Sequence, residues 1–315
     1  MTVKVNPKLE DAKADQLTSY LDETGHSDDP NFHFAGMAGF VAPAELWDAF
    51  GHYWQTVLDM FGLKEPFHMK DFAHSRGQFK QWKGKEERRK ALYGALVAGI
   101  VTFNPIPVGA IISIEAFRSL SQKQQSMFLD PYYVAFQKCS RGAASTGMFS
   151  EPSEPVAMVY SYNAEFGATK TREVYSVNQS GRAEQLWHTM KASTDFGQWM
   201  GSYASSTPGD RVHLQAADLF AYELSKEFEN LLVRPQDPMR WGLRQILEKL
   251  ASPYAMIALL DRLELLRIVK ESNWPCKEGT DEIQDTEKQM NSARARMTKW
   301  LEERAGVPHI EEAEI

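Results

Sequence analysis

Cysteine is scarce in this chain. Cys139 and Cys276 are the only 2 among 315 residues; they lie in different segments and form no CxxC pair. A disulfide framework and a thiolate zinc site are therefore disfavoured, and a reducing compartment is the natural setting. Long apolar runs are missing too. The longest, Ala91 to Ile114, is interrupted by Asn104, Pro105 and Pro107. It reads as a helix, a turn and a strand rather than a membrane span. Met1 to Gln16 is polar, with charges of both signs and no apolar signal core. The expectation is a cytoplasmic protein. Positive charge is not in excess either: 35 Lys and Arg stand against 42 Asp and Glu, a net charge of −7, with a pI of about 5.7. Binding to nucleic acid through bulk charge needs a basic surface, so only a local basic patch or a bound cation could supply it here. No Walker motif, dinucleotide-binding glycine fingerprint, HExxH sequence or G-x-S-x-G elbow occurs. Nucleotide hydrolysis, dehydrogenase and zinc-protease readings lose support accordingly.

The hydrophobic fraction of 43% is ample for a core. The length suits one large domain, or one domain with an appendage. Gln16 to Asp22 reads as a first strand, with Thr18, Tyr20 and Asp22 on one face and Leu17, Ser19 and Leu21 on the other. Gly25 and the polar residues to Asn31 form a turn, and Phe32 to Val41 a second strand, so the pair predicts an antiparallel hairpin. Pro43 opens a helix to about Phe61, with Leu46, Phe50, Trp54, Val57, Leu58 and Phe61 as its buried stripe. A helix is expected over Glu86 to Thr102, a strand over Val108 to Phe117, a helix over Pro131 to Gly142 and a strand over Val156 to Tyr162. Gly181 to Lys191 reads as a short helix. Asp210 is placed to cap a longer one, Arg211 to about Leu232, with Leu214, Ala217, Ala221, Leu224 and Phe228 facing inward. Helices are expected from Met239 to Lys270 and from Thr280 to Glu303. The order of elements predicts an α/β fold, a mixed sheet flanked by helices with a helical C-terminal appendage.

Two acids stand out. Asp22 ends the first strand where it meets a turn, a common place for a functional group; Glu23 points to the opposite face of an extended chain. The same tetrapeptide, Asp22-Glu23-Thr24-Gly25, also reads as a plain polar turn. Asp218 lies mid-helix between Ala216-Ala217 and Leu219-Phe220. A carboxylate among apolar neighbours is costly to desolvate unless it is paired or binds a cation. Gln215, Asp218 and Tyr222 share its side of the helix. The alternative is an Asp paired with Lys226 or Arg211. Glu115 and Glu165, each near a strand end, are candidates for a third ligand.

Tyr20-Leu21-Asp22-Glu23-Thr24-Gly25, Phe67-His68-Met69-Lys70-Asp71-Phe72 and Leu214-Gln215-Ala216-Ala217-Asp218-Leu219-Phe220-Ala221-Tyr222 together resemble the domain of unknown function 3800 family. That family is similar to the RNase H-like superfamily of RNase H, RuvC-like resolvases and many transposases. The resemblance covers roughly residues 16 to 232. It implies an RNase H-like domain at 16–232, after a flexible N-terminus at 1–15 and before a C-terminal helical region at 233–305 and an acidic tail at 306–315. In the superfamily pattern one Asp lies on the first strand, an acid follows a later strand and another lies on a late helix. Asp22, Glu165 and Asp218 match these places, with Glu115 in reserve. The chain departs from the pattern in showing two strands rather than three before its first helix. The chemistry implied is phosphodiester cleavage with Mg²⁺ or Mn²⁺, which converging carboxylates favour.

His68 and Asp71 match the middle motif, His68 as a proton shuttle or as a group that orients a ligand; a histidine after a short loop also serves as an ordinary hydrogen-bonder. His26 is a weaker candidate of the same kind. The basic stretch from Phe79 to Lys90 offers Lys80, Trp82, Lys83, Lys85 and Arg88 to a nucleic acid, though Glu86 and Glu87 dilute it and a solvated helix start is the plain reading. Lys170 and Arg172 could extend that surface. The leading expectation is a metal-dependent nuclease. The alternative is a catalytically silent RNase H-like binding or scaffold protein, associating with itself or a partner through its C-terminal helices.

Overall fold

Alternation along the first strand decides what faces what. A computed structural model describes residues 17–25, 32–128, 130–161, 179–193, 195–234, 236–249 and 256–271. In it β1 (Leu17–Thr24) is buried from Leu17 to Asp22. Tyr20 joins an apolar cluster on one face of the sheet, and Leu17 and Leu21 join another on the opposite face. Asp22 has the parity of Tyr20 and so falls on the first of these faces.

From there the chain builds a mixed sheet. β2 (Phe34–Pro43) runs antiparallel to β1, with Leu17 opposite Pro43 and Thr24 opposite Gly36. Three helices follow: α1 (Ala44–Met60), α2 (Met69–Ala73) and α3 (Glu86–Phe103). β3 (Ile106–Ser113) returns antiparallel to β2. Next come α4 (Ile114–Arg118), α5 (Gln122–Phe128) and α6 (Pro131–Phe149), then β4 (Val156–Ser161) parallel to β1. α7 (Gln179–Ser193) leads to β5 (Met200–Ser206), parallel to β4. After α8 (His213–Val233) and α9 (Trp241–Lys249), β6 (Met256–Leu260) lies parallel to β3, and α10 (Arg262–Glu271) follows. The strand order is β5-β4-β1-β2-β3-β6. The expected α/β class, a mixed sheet flanked by helices, is what forms.

Helices cover both faces. α1, α3, α8 and α9 share a core with Tyr20, Phe40 and Ile111. α4, α6, α7 and α10 share the other with Leu21, Val41, Ile112 and Tyr160. α8 crosses β1 and β2, and its fully buried Ala216, Ala217 and Ala221 leave room for close approach. The sheet reciprocates: a Cβ on Gly109 of β3 would meet the side chains of Leu224 and Ala38 at 3.0 and 3.1 Å. No helix among the described residues is long and apolar enough to cross a membrane.

Several boundaries differ from the sequence reading. β3 ends at Ser113 rather than Phe117, because the Ser113 hydroxyl accepts the Ala116 N–H at 3.2 Å and caps α4. α6 continues past Gly142 to Phe149. Asp210 does not cap α8; it closes a turn with Thr207, whose hydroxyl donates to it at 2.6 Å. The stretch Met239 to Lys270 is not all helix, since Met256–Leu260 forms β6 and carries the sheet beyond residue 232. β5 is a strand that periodicity did not disclose. The helix expected from Thr280 to Glu303, the N-terminal 1–15 and the acidic tail lie outside the described residues.

Candidate functional site

Asp22 stands where β1 gives way to a turn. Gly25 ends the strand with φ of 72°, and a side chain there would collide with the Phe34 carbonyl. Leu21 pairs with Tyr160 in the parallel β1–β4 ladder, which brings Ser161, one residue on, beside Asp22. The Ser161 hydroxyl donates to the Asp22 carboxylate, and the Glu23 N–H donates to Oδ1 at 2.8 Å. Both bonds favour the ionised form. Burial opposes them and is the larger effect, with the charges of Asp218 and Glu23 adding to it, so the Asp22 carboxyl is held well above the usual carboxylate range.

Asp218 comes from α8, and it does two jobs with Gln215 one turn earlier. The segment around His68 is extended (φ −131°, ψ 117°), so the N–H groups of residues 67 and 69 point the same way. The Phe67 N–H donates to Gln215 Oε1 at 3.0 Å and the Met69 N–H to Asp218 Oδ2 at 2.7 Å. Gln215 Oε1 also accepts from the Trp54 indole at 3.1 Å, while its Nε2 donates to the Pro208 carbonyl at 2.8 Å. One helix turn thus pins two loops and α1 around the carboxylate. The physical reason that the Phe67–Phe72 and Leu214–Tyr222 motifs go together is this docking of an extended segment on a helix.

Between those two N–H bonds, His68 Nδ1 donates to Asp218 Oδ2 at 2.9 Å. This bond is the main reason the His68 pKa rises to about 9; burial works against it, and the charges of Asp218, Asp71 and Asp22 add to it. His68 is then an imidazolium at neutral pH, and its Nε2 has no partner among the described residues. The partner of Asp218 is thus His68, not Lys226, which pairs with Glu229 at 2.6 Å.

A cleft of about 640 Å³ opens over these groups, lined by Asp22, Glu23, His68, Asp71 and Asp218 and also by Lys70, His74 and Lys226. The Glu23 charge also acts on Tyr132 of α6, on the far side of the sheet. Glu115 is exposed in the first turn of α4 and does not line the cleft. Glu165 and His26, like Lys170 and Arg172, lie outside the described residues.

The expected nucleic-acid stretch behaves differently. Residues Gly77–Trp82 form a 3₁₀ turn that stacks Phe79 and Trp82 inward, both buried. Trp82 packs edge-on against Phe79 at 5.5 Å, and the Arg88 guanidinium covers it at 4.1 Å while donating to the Phe61 carbonyl at 2.7 Å. Trp82 is a core residue and offers no ring to a base. Lys80, Lys83 and Lys85 are exposed, but they do not line the cleft.

Among the described residues, no group of three or more His, Cys, Asp or Glu side chains is close enough to form a metal site. Sequence reasoning passed over Ser161 and His74, quoted Lys70 only as part of the middle motif, and considered Lys226 only as a partner for Asp218. Only Lys226 had a periodic signal, two turns beyond Asp218 on the same helix. No family model and no curated protein matches the chain.

Proposed function

We propose that the protein is a divalent-metal-dependent nuclease on an RNase H-like fold. The observation that carries this reading is the meeting of Asp22 and Asp218 in one cleft, near enough that the Asp218 charge suppresses ionisation of Asp22. Two hard oxygen donors that repel one another suit a hard cation. Asp22 and Asp218, with Glu165 as the candidate third ligand, would hold Mg²⁺ or Mn²⁺, which when bound supplies a water of lowered pKa and neutralises charge on a phosphodiester.

Topology supports the same reading. β1, β2 and β3 form the three-stranded antiparallel part, β4 and β5 continue it in parallel, and α8 carries the late acid. Two strands precede the first helix, as the sequence reading has it, and β3 joins them on the sheet after α1 to α3.

The chain's own groups supply the rest. Asp218 fixes the His68 ring through Nδ1 and leaves Nε2 for the cleft. As the P–O bond breaks, the His68 imidazolium can pass the Nε2 proton to the leaving oxygen; the entering water adds hydroxide to phosphorus and releases its proton to solvent, and solvent reprotonates the neutral His68 afterwards. Gln215 holds Phe67 and so the approach of His68.

Cleavage of labelled single- and double-stranded DNA and RNA, with and without Mg²⁺ or Mn²⁺, tests the proposal alongside metal titration by calorimetry. The expected result is metal-dependent cleavage lost in Asp22→Asn and Asp218→Asn. Absence of both cleavage and a metal site in the folded parent would instead leave a silent binding module.

A further inference from the structure

The cleft carries two kinds of charge. Asp22, Glu23, Glu65, Asp71 and Asp218 are the acidic side chains; Lys70 and Lys226 supply positive charge, with His74 between them in the lining. Lys70 lies on α2, its Nζ over the Phe32 ring at 5.7 Å from the centroid, with no carboxylate paired to it among the described residues. Lys226 of α8 sits 5.9 Å from the Tyr222 ring and shares its charge with Glu229. His74 follows α2; burial, the largest cause, and the charges of Arg76, Lys226 and Lys70 lower its pKa, against the opposing charge of Asp71. Lys70 of α2 and Lys226 of α8 thus both act on His74 at the cleft, and a phosphate set between the two lysines, with the His74 imidazole as a further donor, would relieve their mutual repulsion. Phe32 and Tyr222 line the same cleft, each under a lysine. A π-face beside a cation is what an unpaired base and its phosphate require. The volume of about 640 Å³ lies in the range of small-ligand sites; it suits nucleotides one at a time rather than the breadth of a duplex.

We propose that this side of the cleft is a subsite for a single nucleic-acid strand, with a backbone phosphate between Lys70, His74 and Lys226 and a base against Phe32 and Tyr222. The identity of the anion rests on the nuclease reading; the existence of an anion subsite rests on the cations. It explains how a chain of net charge −7 takes hold of a polyanion: the basic groups are gathered from separate elements, not from the contiguous run at residues 79–90.

The test is fluorescence anisotropy of a labelled single strand of about 12 nucleotides in EDTA, where metal plays no part. The parent binds it, and Lys70→Gln with Lys226→Gln weakens binding about tenfold. The log–log salt slope falls by about 0.7, the contribution of the one single-strand phosphate that the two lysines share. Lys80→Gln/Lys83→Gln/Lys85→Gln changes neither, and a duplex of the same sequence binds more weakly. The proposal is overturned if the parent fails to bind the strand, if the Lys70/Lys226 variant keeps parental affinity and slope, if the triple variant is the one that loses them, or if duplex binds as tightly. Mn²⁺ titration of the same proteins separates the two readings. Intact metal uptake with lysine-independent strand binding sinks the subsite alone. Lysine-dependent binding by a parent that takes up no metal sinks the nuclease reading alone.

Discussion

At the scale of single residues, Asp218 connects everything in the cleft. Its Oδ2 accepts two bonds, from His68 and from the Met69 N–H, and its charge presses on Asp22. Asp218→Asn separates these roles. The amide oxygen can still accept the Met69 N–H, so the segment stays docked. The charge that holds the His68 proton is gone, and NMR titration should find the His68 pKa moved from about 9 down toward its ordinary 6.5. Metal-free stability should change by no more than about 1 kcal/mol, because relief of repulsion at Asp22 offsets the loss of a partly exposed ion pair. Mg²⁺ should raise the melting temperature of the parent and not of the variant. A His68 pKa that stays near 9 in the variant would show that some other group holds its proton. The two aspartates could be read from the sequence because each stands in an unusual local setting: a strand end and an apolar helix. The His68–Asp218 bond could not, since 150 positions separate the partners and no local pattern encodes that meeting.

Among elements, the decisive contact is between α8 and what it pins. Gln215→Ala leaves the Phe67 N–H, the Trp54 indole and the Pro208 carbonyl without their partner. Buried donors left unsatisfied cost on the order of 1–3 kcal/mol each, so a urea midpoint should fall by the equivalent of roughly 3 kcal/mol, and activity should fall further as His68 loses its support. Gln215→Glu, which keeps an acceptor but not the donor, should recover part of the stability; equal damage from both variants would point to general intolerance at the position. A second prediction concerns the sheet side of the same contact. Gly109→Val places methyls against Leu224 and Ala38 and should cost about 1–3 kcal/mol through overpacking. The displacement of α8 should also weaken metal affinity, although residue 109 does not line the cleft. Elements with strong periodicity were legible: α1, α8 and the β1–β2 hairpin. β5 escaped because Met200 to Ser206 is mostly small residues with little apolar contrast, and β6 because an apolar run of five, Met256 to Leu260, is equally consistent with a helix until β3 offers it an edge. The basic run misled for a related reason. Charge is visible in sequence, whereas the burial of Trp82 under Arg88 is decided by the 3₁₀ turn and the core below it.

For the whole molecule, the titrating groups predict how stability responds to pH and to metal. His68 has a folded pKa raised to about 9 from 6.5. Its contribution is complete below pH 6.5 and is lost as pH rises through about 9. Asp22 is also raised, chiefly by burial, so it too stabilises the fold while protonated and ceases to as pH climbs. His213 acts the other way. Buried against Tyr20 and Trp47, with Nε2 on the Trp47 carbonyl at 2.8 Å, it has its pKa pushed down to about 4. Its contribution is present above pH 6.5 and is lost as pH falls through about 4. The metal-free protein should therefore melt highest near pH 6 and at lower temperatures toward both pH 4 and pH 9. The alkaline slope should be shallow, because the His68 side chain is 57% exposed and water screens its pair. A cation held by Asp22 and Asp218 reverses the alkaline arm, because it needs both carboxylates ionised and competes with the proton on Asp22. Thermal melts with and without Mg²⁺ should thus show a metal-induced rise that grows from pH 6 to pH 8. A rise of the same size at every pH would mean that the cation binds away from the titrating carboxylates, and the Asp22–Asp218 pair would lose its claim to hold it.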